Sequence, residues 1–258
     1  ILGMYAMMGW YIGMQDSKTP MYIAIAINVI NISLSLVFVF VLKMEMEGVA
    51  LGSTIAQITG FLLCLLIWNI KYKNLRPYIH LQFIKSLRDF IPFFKVNSDI
   101  FLRTICLIIV TTFFTSISAK MGDTLLAVNS LMMQLFMLFS YMMDGFAYAA
   151  EALTGRFVGE RNPSMLKLLI KRLFLWGIGL VIIFTIGYAL FSENILRLLT
   201  DKGNIVAVAN EYLGWVLLIP IAGFSAFLWD GIYIGMTASK QMRNSMFIAM
   251  ISFFAIYY

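Results

Sequence analysis

Charged side chains are what this sequence has least of. Only 12% of its 258 residues are Asp, Glu, Lys or Arg, against 61% that are apolar. An ordinary soluble domain carries roughly 25% charge and about 45–50% apolar residues, so a soluble enzyme is excluded at the outset. Metal ligands are equally scarce. The two cysteines, Cys64 and Cys106, both lie inside apolar runs, which gives neither a disulfide framework nor Cys-x-x-Cys spacing, and the lone His80 cannot assemble a metal site with them. No basic flank or small-residue cleavage site follows Ile1, so the chain reads as a fragment of a longer protein with no signal peptide in it.

Long apolar runs are what it does have. A bilayer-crossing helix takes roughly 20 mostly apolar residues. On that scale the runs predict the end of one span at about 1–14, full spans near 20–42, 48–70, 91–119, 124–152, 165–191 and 205–236, and a last, incomplete one at 241–258. The expected fold class is therefore all-α polytopic membrane protein. Thr19-Pro20 and Asn162-Pro163 each place a capping residue before a proline at the first helical position. Pro220 falls inside a span, where it frees a carbonyl and favours a kink.

Charge sets the orientation. The loops 15–19, 71–90, 153–172 and 237–243 hold thirteen basic residues and the opposite loops four, namely Lys43, Lys120, Arg197 and Lys202. The positive-inside rule puts the first set in the cytoplasm. The net charge of +6 is thus a matter of topology and calls for no nucleic acid.

The sequence also repeats itself. Residues 9–18, G-W-Y-I-G-M-Q-D-S-K, and 231–240, G-I-Y-I-G-M-T-A-S-K, share seven of ten positions at an offset of 222. Both copies sit where an inward-running span meets a cytoplasmic loop, six spans apart. An even separation makes the repeats parallel, as in transporters built from two bundled halves, and doubling the offset implies a parent of about 444 residues and twelve spans. The expected organisation is a two-lobe, twelve-helix transporter with a parallel pseudo-twofold repeat. In it, 1–70 ends the amino-terminal lobe (about helices four to six), 71–90 is a cytoplasmic inter-lobe linker, and 91–258 belongs to the carboxy-terminal lobe (about helices seven to eleven).

Ionisable groups inside a span are costly and mark candidate sites. Lys95, Asp99 and Arg103 are spaced i, i+4, i+8 on one helix face, which fits either a structural ion ladder or a site. Tyr141, Asp144, Tyr148 and Glu151 fall within one wedge, with Met133 and Met137 continuing the stripe; Glu151 is near enough to the end to reach water. Asp230 has Ala226, Phe227 and Tyr233 on its own face. Counted from the cytoplasmic ends, Asp99, Asp144 and Asp230 lie roughly 9–12 Å deep, so one layer should hold them with Arg103, and Asp99 and Arg103 are expected to touch each other or Asp144. Asp99, Asp144, Asp230, Arg103 and Glu151 are accordingly the cation-coupling candidates. Asn28, Asn31, Ser35, Gln134, Tyr141, Tyr148 and Tyr233 are candidates for lining a substrate cavity. Asn28, Asn31 and Ser35 fit interhelical hydrogen bonding equally well.

The segments K-V-N-S-D-I-F-L-R-T (95–104), D-G-F-A-Y-A-A-E-A-L-T-G-R (144–156), D-G-I-Y-I-G-M (230–236) and M-R-N-S-M (242–246) resemble the multidrug and toxic compound extrusion family, in particular its DNA-damage-inducible, DinF-like branch. G-M-Q-D-S-K-T-P (13–20) with the following Asn28-x-x-Asn31 resembles the same family's fourth-to-fifth helix junction. The resemblance implies a multi-pass bacterial inner-membrane antiporter, monomeric at full length. It would export small organic, often cationic, molecules in exchange for H+ or Na+, with no cofactor and no enzymatic activity. Related proton-coupled members pair an Asn with an Asp four residues later in the fifth helix; here Asn31 is followed by Ser35, which moves the weight onto Asp99, Asp144 and Asp230. A lipid-linked oligosaccharide flippase is the nearest rival and would need an Arg-rich cavity for pyrophosphate. A membrane-embedded enzyme would need paired catalytic groups at the interface.

Overall fold

The structure, a computed structural model, describes residues 1–78 and 87–258, with side chains described for 1–77 and 90–258. His80 and Lys85 lie outside the described residues. Nine α-helices run through the rest: α1 (Leu2–Gly13), α2 (Lys18–Leu36), α3 (Met46–Lys71), α4 (Leu87–Lys120), α5 (Asp123–Gly159), α6 (Pro163–Leu199), α7 (Gly203–Glu211), α8 (Leu213–Gly235) and α9 (Ser239–Tyr257). A π-helical turn, Val37–Val41, continues α2, and a 3₁₀ segment, Lys73–Tyr78, follows α3. Six of these helical segments are long and apolar enough to cross a bilayer, Lys18–Val41, Met46–Lys71, Phe90–Lys120, Asp123–Gly159, Pro163–Leu199 and Leu213–Gly235. The chain forms two compact units, Ile1–Leu87 and Arg88–Tyr258.

Three sequence expectations change in detail. The run 205–236 is two helices, with Tyr212 between them, so the break falls eight residues before Pro220, which is buried inside an uninterrupted α8. Helix α2 starts at Lys18 with Ser17 in the N-cap position, and the first turn is held instead by Asp16: the Thr19 backbone N–H donates to Asp16 Oδ1 at 3.3 Å and Thr19 Oγ1 donates to Oδ2 at 2.6 Å. The proline in the first turn costs α2 little, since no backbone N–H is needed there. Finally, α5 and α6 reach 37 residues each, about 55 Å at 1.5 Å per residue, well beyond a hydrocarbon core of about 30 Å. An exposed i,i+4 pair sits at the polar end of each and adds a few tenths of a kcal/mol, Arg156–Glu160 at 2.7 Å at the C-cap of α5 and Glu193–Arg197 at 2.8 Å in the last turns of α6. At Asn162 the expected cap is present, its side chain accepting from the Met165 N–H at 3.2 Å ahead of Pro163.

The two repeat copies share a turn geometry. Gln15 (φ 61°) and Thr237 (φ 54°) both adopt the left-handed conformation just past a helix end. At each, the same pair of hydrogen bonds closes the turn: Gln15 N–H to Ile12 O and Asp16 N–H to Tyr11 O, then Thr237 N–H to Ile234 O and Ala238 N–H to Tyr233 O, all 2.8–2.9 Å. This is the Schellman arrangement, for which glycine is the usual residue.

Within the first unit, α1, α2 and α3 pack around Met4, Tyr11, Ile23, Ile27, Ala56 and Cys64. Tyr11 Oη donates to the Cys64 carbonyl oxygen at 2.7 Å. At the same end Asp16 accepts from Lys71 Nζ at 2.6 Å and from Tyr72 Oη at 3.0 Å. Burial opposes ionisation of Asp16, but the hydrogen bonds from Lys71, Thr19 and Tyr72 outweigh it and bring the carboxyl down to about 2. The second unit has two cores along α5, α6 and α8, one around Leu135, Tyr188 and Val216 and one around Phe139, Met143 and Leu228.

Candidate functional site

The site in the second unit is built on a backbone-to-backbone crossing of α5 and α8. Gly231 and Gly235 are separated by one helical turn, so both face α5. A Cβ at Gly231 would lie 2.2 Å from the Ala147 carbonyl oxygen, and one at Gly235 would lie 2.4 Å from that of Glu151. Asp230 immediately precedes Gly231, and Asp144 lies one turn before Ala147. The glycine contact therefore carries both carboxylates to one wall. In α1 the corresponding Gly9 and Gly13 have no neighbour within 4 Å among the described residues.

Helix α4 stands opposite and reaches the rest of its unit through side chains. Arg103 Nη2 pairs with Asp230 Oδ1 at 2.7 Å, linking α4 to α8. One turn away, Asp99, only 4% exposed, accepts from Arg243 Nη1 at 2.6 Å and from Ser239 Oγ at 2.8 Å, linking α4 to α9. Further along, Asn129 Nδ2 on α5 donates to Ser118 Oγ at 2.6 Å, and the Phe113 ring meets Phe254 and Tyr257, each at 5.0 Å between centroids.

Space remains between these links. A cavity of about 540 Å³ is lined by Arg103, Asp144, Ala226, Phe227, Asp230, Tyr233 and residues of α9 including Met242 and Met246. A second, of about 750 Å³, is walled by Met132, Met133, Met137, Phe114, Phe253 and Trp215. Leu107 and Phe136 line both.

The expected contacts of Asp99 and Arg103 are corrected. The two side chains share a face of α4 but do not pair with each other or with Asp144; Asp99 turns to α9 and Arg103 to α8. A carboxylate and a guanidinium one turn apart on one helix are worth only about 0.2–0.5 kcal/mol to each other, whereas each has a partner of opposite sign on a neighbouring helix with direct hydrogen-bond geometry. Lys95 is exposed and takes no part. Ser239 and Arg243 were not legible as site residues, because Arg243 reads as one more cytoplasmic charge and lies 144 positions from its partner.

The remaining candidates are placed as follows. Tyr233 lines the smaller cavity. Gln134 lines a separate one of about 210 Å³ beside Ser118 and Asn129. Tyr141 and Tyr148 are 71% and 57% exposed on α5. Glu151 is half-buried at the Gly235 contact. In the first unit Asn28 Nδ2 donates to the Ala24 carbonyl oxygen at 3.0 Å, within its own helix. Asn31 Nδ2 donates to Ser53 Oγ across the α2–α3 contact at 3.2 Å and accepts from Ser35 Oγ at 3.2 Å, so this pair is spent on helix association.

Long apolar helices, with part-buried ion pairs and an acid-bearing cavity between them, define an all-α polytopic membrane protein. The MatE family model matches residues 100–257, and the chain belongs to that family. It is 34% identical over 250 residues to the DNA damage-inducible protein F of Escherichia coli, covering 96% of this chain and 54% of that protein. It is 27% identical to Protein DETOXIFICATION 45, chloroplastic, of Arabidopsis thaliana, covering 94% of this chain and 42% of that one. A crystal structure of MATE in the bent conformation superposes with a TM-score of 0.72 at 18% identity, over 90% of this chain and 51% of its own. The chain thus spans about half the length of the relatives it matches.

Proposed function

We propose that the full-length protein is a secondary antiporter of the inner membrane that exports organic, cationic or amphipathic compounds in exchange for protons or sodium ions. The observation that carries this reading is the pair of abutting cavities in the second unit, one bearing Asp144 and Asp230 and the other apolar and rich in methionine and aromatic rings. Carboxylates in a membrane interior are retained where they meet a cation. Flexible methionines and aromatic faces suit varied ring systems. Along α5, Met137 and Asp144 are seven residues apart, about 10 Å of helix, so a favoured cargo carries its charge about that far from its apolar body. Asp144, Asp230, Arg103 and Tyr233 form the acidic end; Asp99 holds α4 to α9. The names of the Arabidopsis relatives, which refer to detoxification, point the same way. A flippase cavity would present several cations to a pyrophosphate, whereas among the described residues Arg103 is the one cation lining either cavity and is already paired.

The test is fluorescent-cation efflux from proteoliposomes holding the full-length protein, with an imposed proton or sodium gradient. Export driven by either gradient and dissipated by its ionophore is the expected result. Gradient-independent equilibration, or none, contradicts the reading.

A further inference from the structure

Two acids and one guanidinium share the smaller cavity, and they are not equivalent. Arg103 is spent on Asp230, at 2.7 Å, with both side chains about a quarter exposed to the space. Asp144 lines the same space and, among the described residues, has neither an ion pair nor a hydrogen bond. Asp99, one turn away, is turned instead to α9, where it pairs with Arg243 and accepts from Ser239.

We propose that Arg103 is a tethered cation that competes with the exported cation for the acid pair, leaving Asp144 to receive the incoming charge and setting how tightly it is held. The inference rests on the reading of the protein as a cation exporter. A guanidinium fixed to α4 beside the acids acts at a high effective concentration and cannot diffuse away. With all three groups ionised the cavity carries one net negative charge, enough to attract a monocation but not to trap it. At an effective dielectric of about 20, one unit charge about 6 Å away changes an affinity by tenfold or more. The sign of each substitution follows. Removing the guanidinium leaves two free acids. Removing Asp230 frees the guanidinium to turn on Asp144. Removing both restores one acid and no competitor.

Binding of tetraphenylphosphonium to the purified full-length protein by titration calorimetry tests this in four forms. Arg103→Gln should bind at least tenfold more tightly than wild type and Asp230→Asn at least tenfold more weakly, while the double variant returns to within threefold of wild type. If Arg103 merely braces α4, Arg103→Gln loosens binding and the double variant is no better than Asp230→Asn; either result overturns the proposal. Should a single variant fail to fold, the double variant, which leaves no unpaired partner, still decides: near-normal binding supports the tethered cation and weak binding overturns it. Absence of binding in every form overturns the export reading and this inference together, whereas wild-type binding with the wrong pattern overturns the inference alone.

Discussion

Gly231→Ala is the sharpest single perturbation of the α5–α8 crossing. Its Cβ would lie 2.2 Å from the Ala147 carbonyl oxygen, 2.8 Å from the carbonyl carbon and 2.9 Å from Cα. An ordinary C···O approach is about 3.3–3.6 Å, so the helices must part by about 1 Å. These three nearest atoms are all backbone, and no side-chain rotation relieves those contacts. Overpacking typically costs about 1–3 kcal/mol, and this contact belongs at the upper end. At about 2–4 °C per kcal/mol the melting temperature of the purified protein should fall by ~6–12 °C. Because Asp144 and Asp230 hang from the same contact, a displacement of about 1 Å should reduce transport by about a hundredfold, more than the lost stability explains. Gly179→Ala is the control, since a Cβ there meets nothing within 4 Å. Fluorimetric melting and efflux, measured on one preparation of each variant, give both numbers. A Gly231→Ala protein that melts within 1–2 °C of wild type (about the effect of a neutral surface change) would falsify the close crossing and the positioning argument built on it.

Two further outcomes follow from the turns and the first unit. The Asp16 carboxyl, at about 2 against its ordinary 3.8, adds stability that is fully present above pH 3.8 and is lost as pH falls through about 2. Because Lys71 is half exposed, screening reduces that contribution to about 1 kcal/mol. Asp16→Asn should lower the melting temperature at pH 6 by a few degrees and flatten its fall on acidification; a variant with the wild-type acid profile contradicts the assignment. Thr237 is β-branched and left-handed at φ 54°, a conformation that disfavours its side chain, so Thr237→Gly should stabilise by about 1 kcal/mol. A lowered melting temperature would show that the threonine hydroxyl, which donates to the Met236 carbonyl oxygen, outweighs the backbone strain.

The helices were legible because lipid leaves backbone groups no partner but the helix itself, so apolar run length translates directly into a span. The break at Tyr212 was not, since the run 205–236 stays apolar through it and Pro220 draws attention to the wrong place. The acids of the cavity could be named from periodicity alone, because Asp144 and Asp230 sit on wedges with aromatic neighbours. Their partners could not. Periodicity fixes the face of a helix but not the neighbour that face meets, and the pairing of Arg103 with Asp230 and of Asp99 with Arg243 depends on that neighbour. The repeat 231–240 was read only as a sign of two lobes; that its Gly231 and Gly235 bring α8 against α5, with Asp144 and Asp230 on one cavity, needs the neighbouring helix to be known.

On the proposed function, the acid pair in the α4–α5–α8–α9 cavity couples an ion gradient to export. Gradient-driven efflux of a fluorescent cation from proteoliposomes, compared between the full-length wild type and Asp230→Asn, measures it directly. The variant should reconstitute normally, with gradient-driven export reduced to the level of empty vesicles. Wild-type export by Asp230→Asn under both proton and sodium gradients would contradict it.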